Sequence, residues 1–158
     1  MRWLCLALAM CMTACRAQLG WDPVDTKRQL RENVATVVLP PGGSQSIAFR
    51  LRPDPAGPDR IFVSLPEKAT TLSVLLPDGR RVDSQSAKAV GLHWGEHSAS
   101  WVEGACGNSA DWTVIEIPPG GAAGEYSIEA SLPGSSAAAR MCATASTMGA
   151  LSVSAWKS

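Results

Sequence analysis

The strongest constraint in this sequence is strict alternation. Ile47, Phe49 and Leu51 alternate with Ser46, Arg50 and Arg52, and Tyr126, Ile128, Ala130 and Leu132 alternate with Ser127, Glu129 and Ser131. A period of two puts one set of side chains on a buried face and the other in water, which is the signature of a strand in a half-buried sheet. Further short runs, at 34–39, 60–65, 69–76, 88–94, 98–103, 111–117, 138–146 and 149–156, are each bounded by turn-forming residues. Ten candidate strands in about 120 residues predict an all-β domain, a two-sheet antiparallel β-sandwich.

The turns support this reading. Pro77-Asp78-Gly79 presets φ with proline and supplies a permissive glycine, so Leu72 to Leu76 should fold back onto Arg80 to Asp83 as a hairpin. Pro40-Pro41-Gly42-Gly43 and Pro118-Pro119-Gly120-Gly121 each lie between an apolar strand and an alternating one. They read as a repeat or as corner loops between sheets. The stiff, polar stretch from Arg52 to Asp59 suits a connection between strands.

Composition narrows the partners. The 14 basic and 14 acidic residues cancel, leaving no charge excess to draw the chain to nucleic acid, and no nucleic-acid partner is expected. With 158 residues, 46% of them hydrophobic, the chain has surface enough for one core.

The first residues read as an export signal. Met1 and Arg2 precede the apolar run WLCLALAMCM, residues 3–12, long enough for a signal-peptide core and too short for a membrane span. Met12-Thr13-Ala14-Cys15 resembles the bacterial lipobox, whose cysteine receives diacylglycerol and becomes the mature N-terminus. That resemblance implies a signal peptide over 1–14, lipidation of Cys15 and a stable membrane anchor. The alternative is ordinary cleavage after Ala17, leaving a soluble periplasmic or secreted protein. Arg16 is not the aspartate that typically retains lipoproteins at the inner membrane, which favours an outer-membrane lipoprotein facing the periplasm. Residues 15–33 then form a tether, with a helical turn or two around Thr26 to Arg31, and 34–158 the sandwich.

Of five cysteines, Cys5 and Cys11 leave with the signal and Cys15 takes the lipid. Cys106 and Cys142 remain, and in an oxidising compartment they should form a disulfide; the alternative is two buried thiols.

The chain also resembles bacterial secreted β-sandwich domains of the pre-peptidase C-terminal type and their jelly-roll relatives. The matching residues are Gly42-Gly43 with Ser46 to Leu51, Leu72 to Gly79, and Ile115 to Pro119 with Gly124 to Ile128. The resemblance covers roughly residues 42–132 and implies a jelly-roll-like fold with a non-catalytic habit. The acidic calcium ligands of some members have no convincing counterpart.

Candidate chemistry is sparse. His93-Trp94-Gly95-Glu96-His97 matches H-x-x-E-H, in which two histidines one helical turn apart bind zinc and the glutamate activates water. The chemistry needs a helix, whereas Gly95 and the flanking residues read as strand or loop, so His93 and His97 are expected as solvated residues at a hairpin tip. Ser44, Ser98 and Ser109 are not in a G-x-S-x-G elbow. Asp54, Asp59, Asp78, Asp83, Glu103 and Asp111 are scattered, most of them in turns where a carboxylate accepts backbone hydrogen bonds. No cofactor is expected; calcium at such a loop or zinc at the histidines is the alternative. Trp94, Trp101 and Trp112 lie close together near Cys106 and either line an exposed face for a glycan or protein partner or pack in the core beside the disulfide. The expectation is a lipid-anchored envelope protein displaying a non-catalytic sandwich for a protein or glycan partner. Its rival is a small zinc-dependent or hydrolytic periplasmic enzyme using His93, Glu96 and His97.

Overall fold

A computed structural model describes residues 29, 32–65, 71–98, 106, 111–134 and 137–156. Among them ten strands form: β1 (Ala35–Leu39), β2 (Ser44–Arg52), β3 (Asp59–Ser64), β4 (Thr71–Leu75), β5 (Arg81–Val82), β6 (His93–Ser98), β7 (Asp111–Ile117), β8 (Gly124–Ser131), β9 (Ala139–Ser146) and β10 (Ala150–Trp156). They build two five-stranded antiparallel sheets, the first in the order β1-β9-β3-β7-β6 and the second β10-β2-β8-β4-β5. The chain switches sheet at each step from β1 to β4 and again from β7 to β10. Returning strands slot between outgoing ones: β9 between β1 and β3, β8 between β2 and β4. That interleaving is the wrapped hairpin of a jelly roll, with β6 and β10 added at one edge of each sheet.

Both alternating segments take their expected faces. Ile47 and Phe49 face Ile128 and Tyr126 across the β2–β8 ladder, all buried in the core between the sheets. Ser127, Glu129 and Ser131 alternate onto the outer face. The two Pro-Pro-Gly-Gly segments are corners between sheets. In each, the fourth residue's N–H donates to the first residue's carbonyl, Gly43 to Pro40 and Gly121 to Pro118, both at 3.0 Å. Gly42 and Gly120 sit at φ +66° and +69°. Proline second and a left-handed glycine third make a type II turn, reversing the chain in the space available between the sheets. The expected hairpin at Pro77-Asp78-Gly79 forms, with Val74 and Leu75 paired to Val82 and Arg81. Tyr126 closes its own corner, its hydroxyl donating to the Ala122 carbonyl at 2.7 Å.

One expected strand is corrected. Residues 88–94 are a 3-10 turn, Ala87–Val90, followed by Gly91 and Leu92, and strand begins only at His93. The Asp83 carboxylate accepts from the Gln85 and Ser86 N–H groups at 3.1 and 2.9 Å and from the Ser86 hydroxyl. This local network holds the chain in turns up to buried Ala87, overriding the apolar pattern. The serine hydroxyl also pulls the Asp83 carboxyl below its ordinary value. Most of the expected strand 98–103 lies outside the described residues.

The first sheet is covered on both faces. Ile61 and Val63 point into the core, so Phe62 between them points outward, yet it is buried together with Trp112 and packs beside Cys106 and Val114. Cys142 alternates with core residues Met141 and Ala143 and also faces outward. There it forms the expected disulfide with Cys106, Cα atoms 5.8 Å apart. The bridge thereby ties the β6–β7 connection to β9 over the outer face. For a separation of 36 residues, chain-entropy reasoning gives about 3–4 kcal/mol.

At the opposite end of that sheet, Gln29 and Asp59 grip the β9–β10 loop. Gln29 Oε1 accepts from the Thr147 N–H at 2.7 Å, and Asp59 Oδ1 accepts from the Met148 N–H at 3.1 Å. A helical bond from the Asn33 N–H to the Gln29 carbonyl, 2.9 Å, links this clasp to β1. Asp59 is fully buried, and its Oδ2 has no hydrogen-bond partner among the described residues. Burial therefore pushes its carboxyl above the ordinary value, against the lowering pull of Thr147 and Met148. With the folded pKa raised, the native state holds the proton more tightly, so stability is lost as pH rises from the unfolded value through the folded one. Asp59→Asn, which keeps an acceptor for Met148 and removes the buried charge, is expected to match or exceed the wild type in stability at pH 7, its advantage fading as pH falls through the raised folded value and gone below about 4. Asp59→Ala, which orphans the Met148 N–H, should lose about 1–3 kcal/mol across that range. Urea titrations from pH 3 to 8 measure both.

Candidate functional site

The outer face of the second sheet carries the site. Register lays two rows across three strands: Ser44, Ser131 and Thr71 in one, Ser46, Glu129 and Ser73 in the next. Short hydroxylated side chains at alternating positions leave the sheet surface low, and a shallow concavity of about 390 Å³ lies over them, bordered by Arg81 and Gln45. Arg81, on β5, reaches across Ser73. One of its terminal nitrogens donates to Ser73 Oγ at 3.3 Å and pairs with Glu129 Oε2. Thr71 and Ser131 share a hydroxyl–hydroxyl hydrogen bond along the next row.

Charge and burial define what this surface offers. The Arg81–Glu129 pair cancels, so among the described residues the concavity is neutral while presenting a fixed carboxylate edge and guanidinium donors. Glu129 is the more sheltered partner, its side chain 25% exposed against 60% for Arg81. An ion pair so placed adds at most about 1 kcal/mol to stability, so its consequence is geometric: it holds both groups in one orientation. Gln45, in register with core residue Ala130, turns its buried side chain to the inner side of the sheet, away from these rows. Both histidines lie on the other sheet, at β6, so the serines of the concavity have no imidazole base within it.

The other sequence candidates fall elsewhere. His93 and His97 stand on the edge strand β6, upstream of the hairpin tip where they were expected, in register with Glu116 and Trp112. In a strand, residues four apart are separated by about 13 Å, and Glu96, three from His93, belongs to the opposite face. The H-x-x-E-H spacing therefore does not converge on an ion, and no group of three or more potential ligands occurs among the described residues. Glu116 is instead engaged by Arg60, whose Nε donates to it at 2.7 Å. The turn aspartates serve their own loops: Asp54 accepts from the Ala56 N–H, and Asp78 from the N–H and side chain of Arg80, which holds its carboxyl below the ordinary value. Glu103 lies outside the described residues.

The tryptophans do not share a face. Trp94 pairs with core residue Ile115 and packs half-buried against the core, whereas Trp112 is buried on the outer side beside Cys106. Trp101 lies outside the described residues. A common stacking surface built from Trp94 and Trp112 is thus corrected: strand alternation sends them to opposite sides of the sheet.

The concavity itself was not singled out in the sequence. Its residues are outward members of the alternating pattern, and the available signal was compositional: Ser44, Ser46, Thr71, Ser73, Ser127 and Ser131 make up half of the outward positions of β2, β4 and β8.

No protein-family model matches the chain. No curated protein resembles it in sequence either.

The two tryptophans should separate in stability. Trp112→Ala removes a fully buried indole and is expected to cost about 3–5 kcal/mol, with Trp94→Ala, half-buried at the edge strand, costing clearly less. Equilibrium urea unfolding of the two variants, disulfide intact, provides the comparison.

Proposed function

We propose that the chain is a lipid-anchored cell-envelope protein that displays its sandwich, without catalysis, for binding a protein or glycan partner. The address rests on the lipobox-like Met12-Thr13-Ala14-Cys15, and Arg16 after it favours an outer-membrane protein facing the periplasm. The resemblance to pre-peptidase C-terminal domains supports a non-catalytic role.

The observation that carries the reading is the polarity of the domain. The N-terminal segment docks through Gln29 on the β9–β10 loop, at the end of the sandwich where β2 finishes and β10 begins. The concavity lies toward the other end, at the rows of Ser44 and Ser46. From the level of Arg52 to that of Ser46 is about 20 Å of strand. With Cys15 in a membrane, residues 16–28 add a leash of at most about 45 Å. The binding face is then held away from the lipid surface, open to large partners. A site meant for lipid or for a membrane-embedded substrate would sit at the tethered end.

The test is the intact mass of the N-terminal peptide from membrane and soluble fractions, wild type beside Cys15→Ala. A diacylglyceryl mass on Cys15, with membrane residence lost in the variant, is expected. An unmodified N-terminus at Gln18 in the soluble fraction would replace this reading with a freely diffusing exported domain.

A further inference from the structure

We infer that the concavity on the outer face of the second sheet is a binding site for a neutral, hydroxyl-rich glycan. The inference deepens the binding role proposed above, on which it rests.

Three observations converge. First, the lining is neutral among the described residues, since Glu129 and Arg81 cancel, so neither a polyanion nor a polycation gains from it. Second, hydrogen-bonding capacity is mixed. Each Ser and Thr hydroxyl both donates and accepts, the Glu129 carboxylate has lone pairs beyond the one facing Arg81, and the guanidinium has spare N–H groups. A sugar ring, whose hydroxyls also donate and accept, needs that mixture, whereas a lipid chain would need an apolar lining, and the described residues here are mostly polar. Third, the volume of about 390 Å³ falls within the range of small-ligand sites, about 300–1,000 Å³.

The roles follow from position. Glu129, central in its row and fixed by Arg81, accepts from adjacent ligand hydroxyls. Ser46 and Ser73 flank it on the neighbouring strands and exchange hydrogen bonds with the same ring.

The experiment uses the full chain, disulfide intact, in a detergent without a sugar headgroup such as lauryldimethylamine oxide. Isothermal titration calorimetry follows neutral tetrasaccharides of the gluco, manno, galacto and N-acetylglucosamine series, with tetragalacturonate as the acidic comparison. Saturable binding of at least one neutral series is expected, with the acidic probe weaker by about tenfold or more. Glu129→Gln and Ser73→Val should each raise the Kd about tenfold, while Arg50→Ala, which breaks the Arg50–Glu125 pair on the same face but outside the concavity, should leave it within about twofold. Thermal unfolding and circular dichroism show that each variant is folded; Ser73→Val places a strand-favouring side chain there and replaces the hydroxyl with methyl groups. Absence of saturable binding across all four neutral series, equal affinity for the acidic probe, or affinity indifferent to both Glu129→Gln and Ser73→Val would overturn the inference. If glycan binding fails while Cys15 carries lipid, the display role stands and the concavity passes to a protein partner. If binding holds while Cys15 is unmodified, the glycan site stands and the anchor falls.

Discussion

Everything in this fold depends on two strands being hydrogen-bonded along both edges to strands laid down much earlier. β8 fills the gap between β2 and β4, and β9 the gap between β1 and β3. Until the chain returns, β1 and β3 share no ladder, and neither do β2 and β4. The sheets are therefore assembled by contacts of high sequence separation, a topology that folds slowly because loop closure must be met before pairing offsets it. The corners matter for the same reason. Two Pro-Pro-Gly-Gly turns hold the chain in the geometry that carries β1 into β2 and β7 into β8, which lowers the entropy lost at two of the crossings.

Much of this architecture is legible in the sequence, because alternation is a direct record of a two-sided environment. Ile47-Phe49-Leu51 and Tyr126-Ile128-Ala130 name their buried face residue by residue, and Pro77-Asp78-Gly79 fixes its hairpin. The failures have local causes. Residues 88–94 carry a strand-like apolar pattern, but side chains just upstream at Asp83 and Ser86 offer the backbone a competing set of hydrogen bonds. The strand pattern of 60–65 was recognised, yet its unbroken Ile61-Phe62-Val63 run also records burial on both faces, and only the placement of Cys106 over the sheet reveals what that second environment is. The candidate site was hardest to see. Serines at outward strand positions read as ordinary solvation until register shows that they fall beside one another on neighbouring strands, around one carboxylate.

The two outer faces have diverged to different ends. On the first sheet, Phe62, Trp112 and the disulfide consume the outward positions in a second apolar layer, so that face is structural. On the second sheet, small hydroxylated residues keep the surface open, and the two charged side chains described at the concavity, Arg81 and Glu129, are tied to each other. A sandwich of this size has two broad faces, and committing one to stability leaves the other free of that duty.

The clasp at Gln29 also has a mechanical meaning. Gln29 bonds to the loop that ends β9, and a few residues later the chain enters β1, paired to β9 along its length. A tug transmitted through the leash along the strand direction would load that ladder in shear, all of its bonds sharing the tension, instead of opening them one after another from a free end. Since β9 is also paired to β3 and bridged to Cys106, the load passes directly into the middle of the sheet. Under the proposed lipid anchor, the domain would thus be fastened at a point that resists tearing.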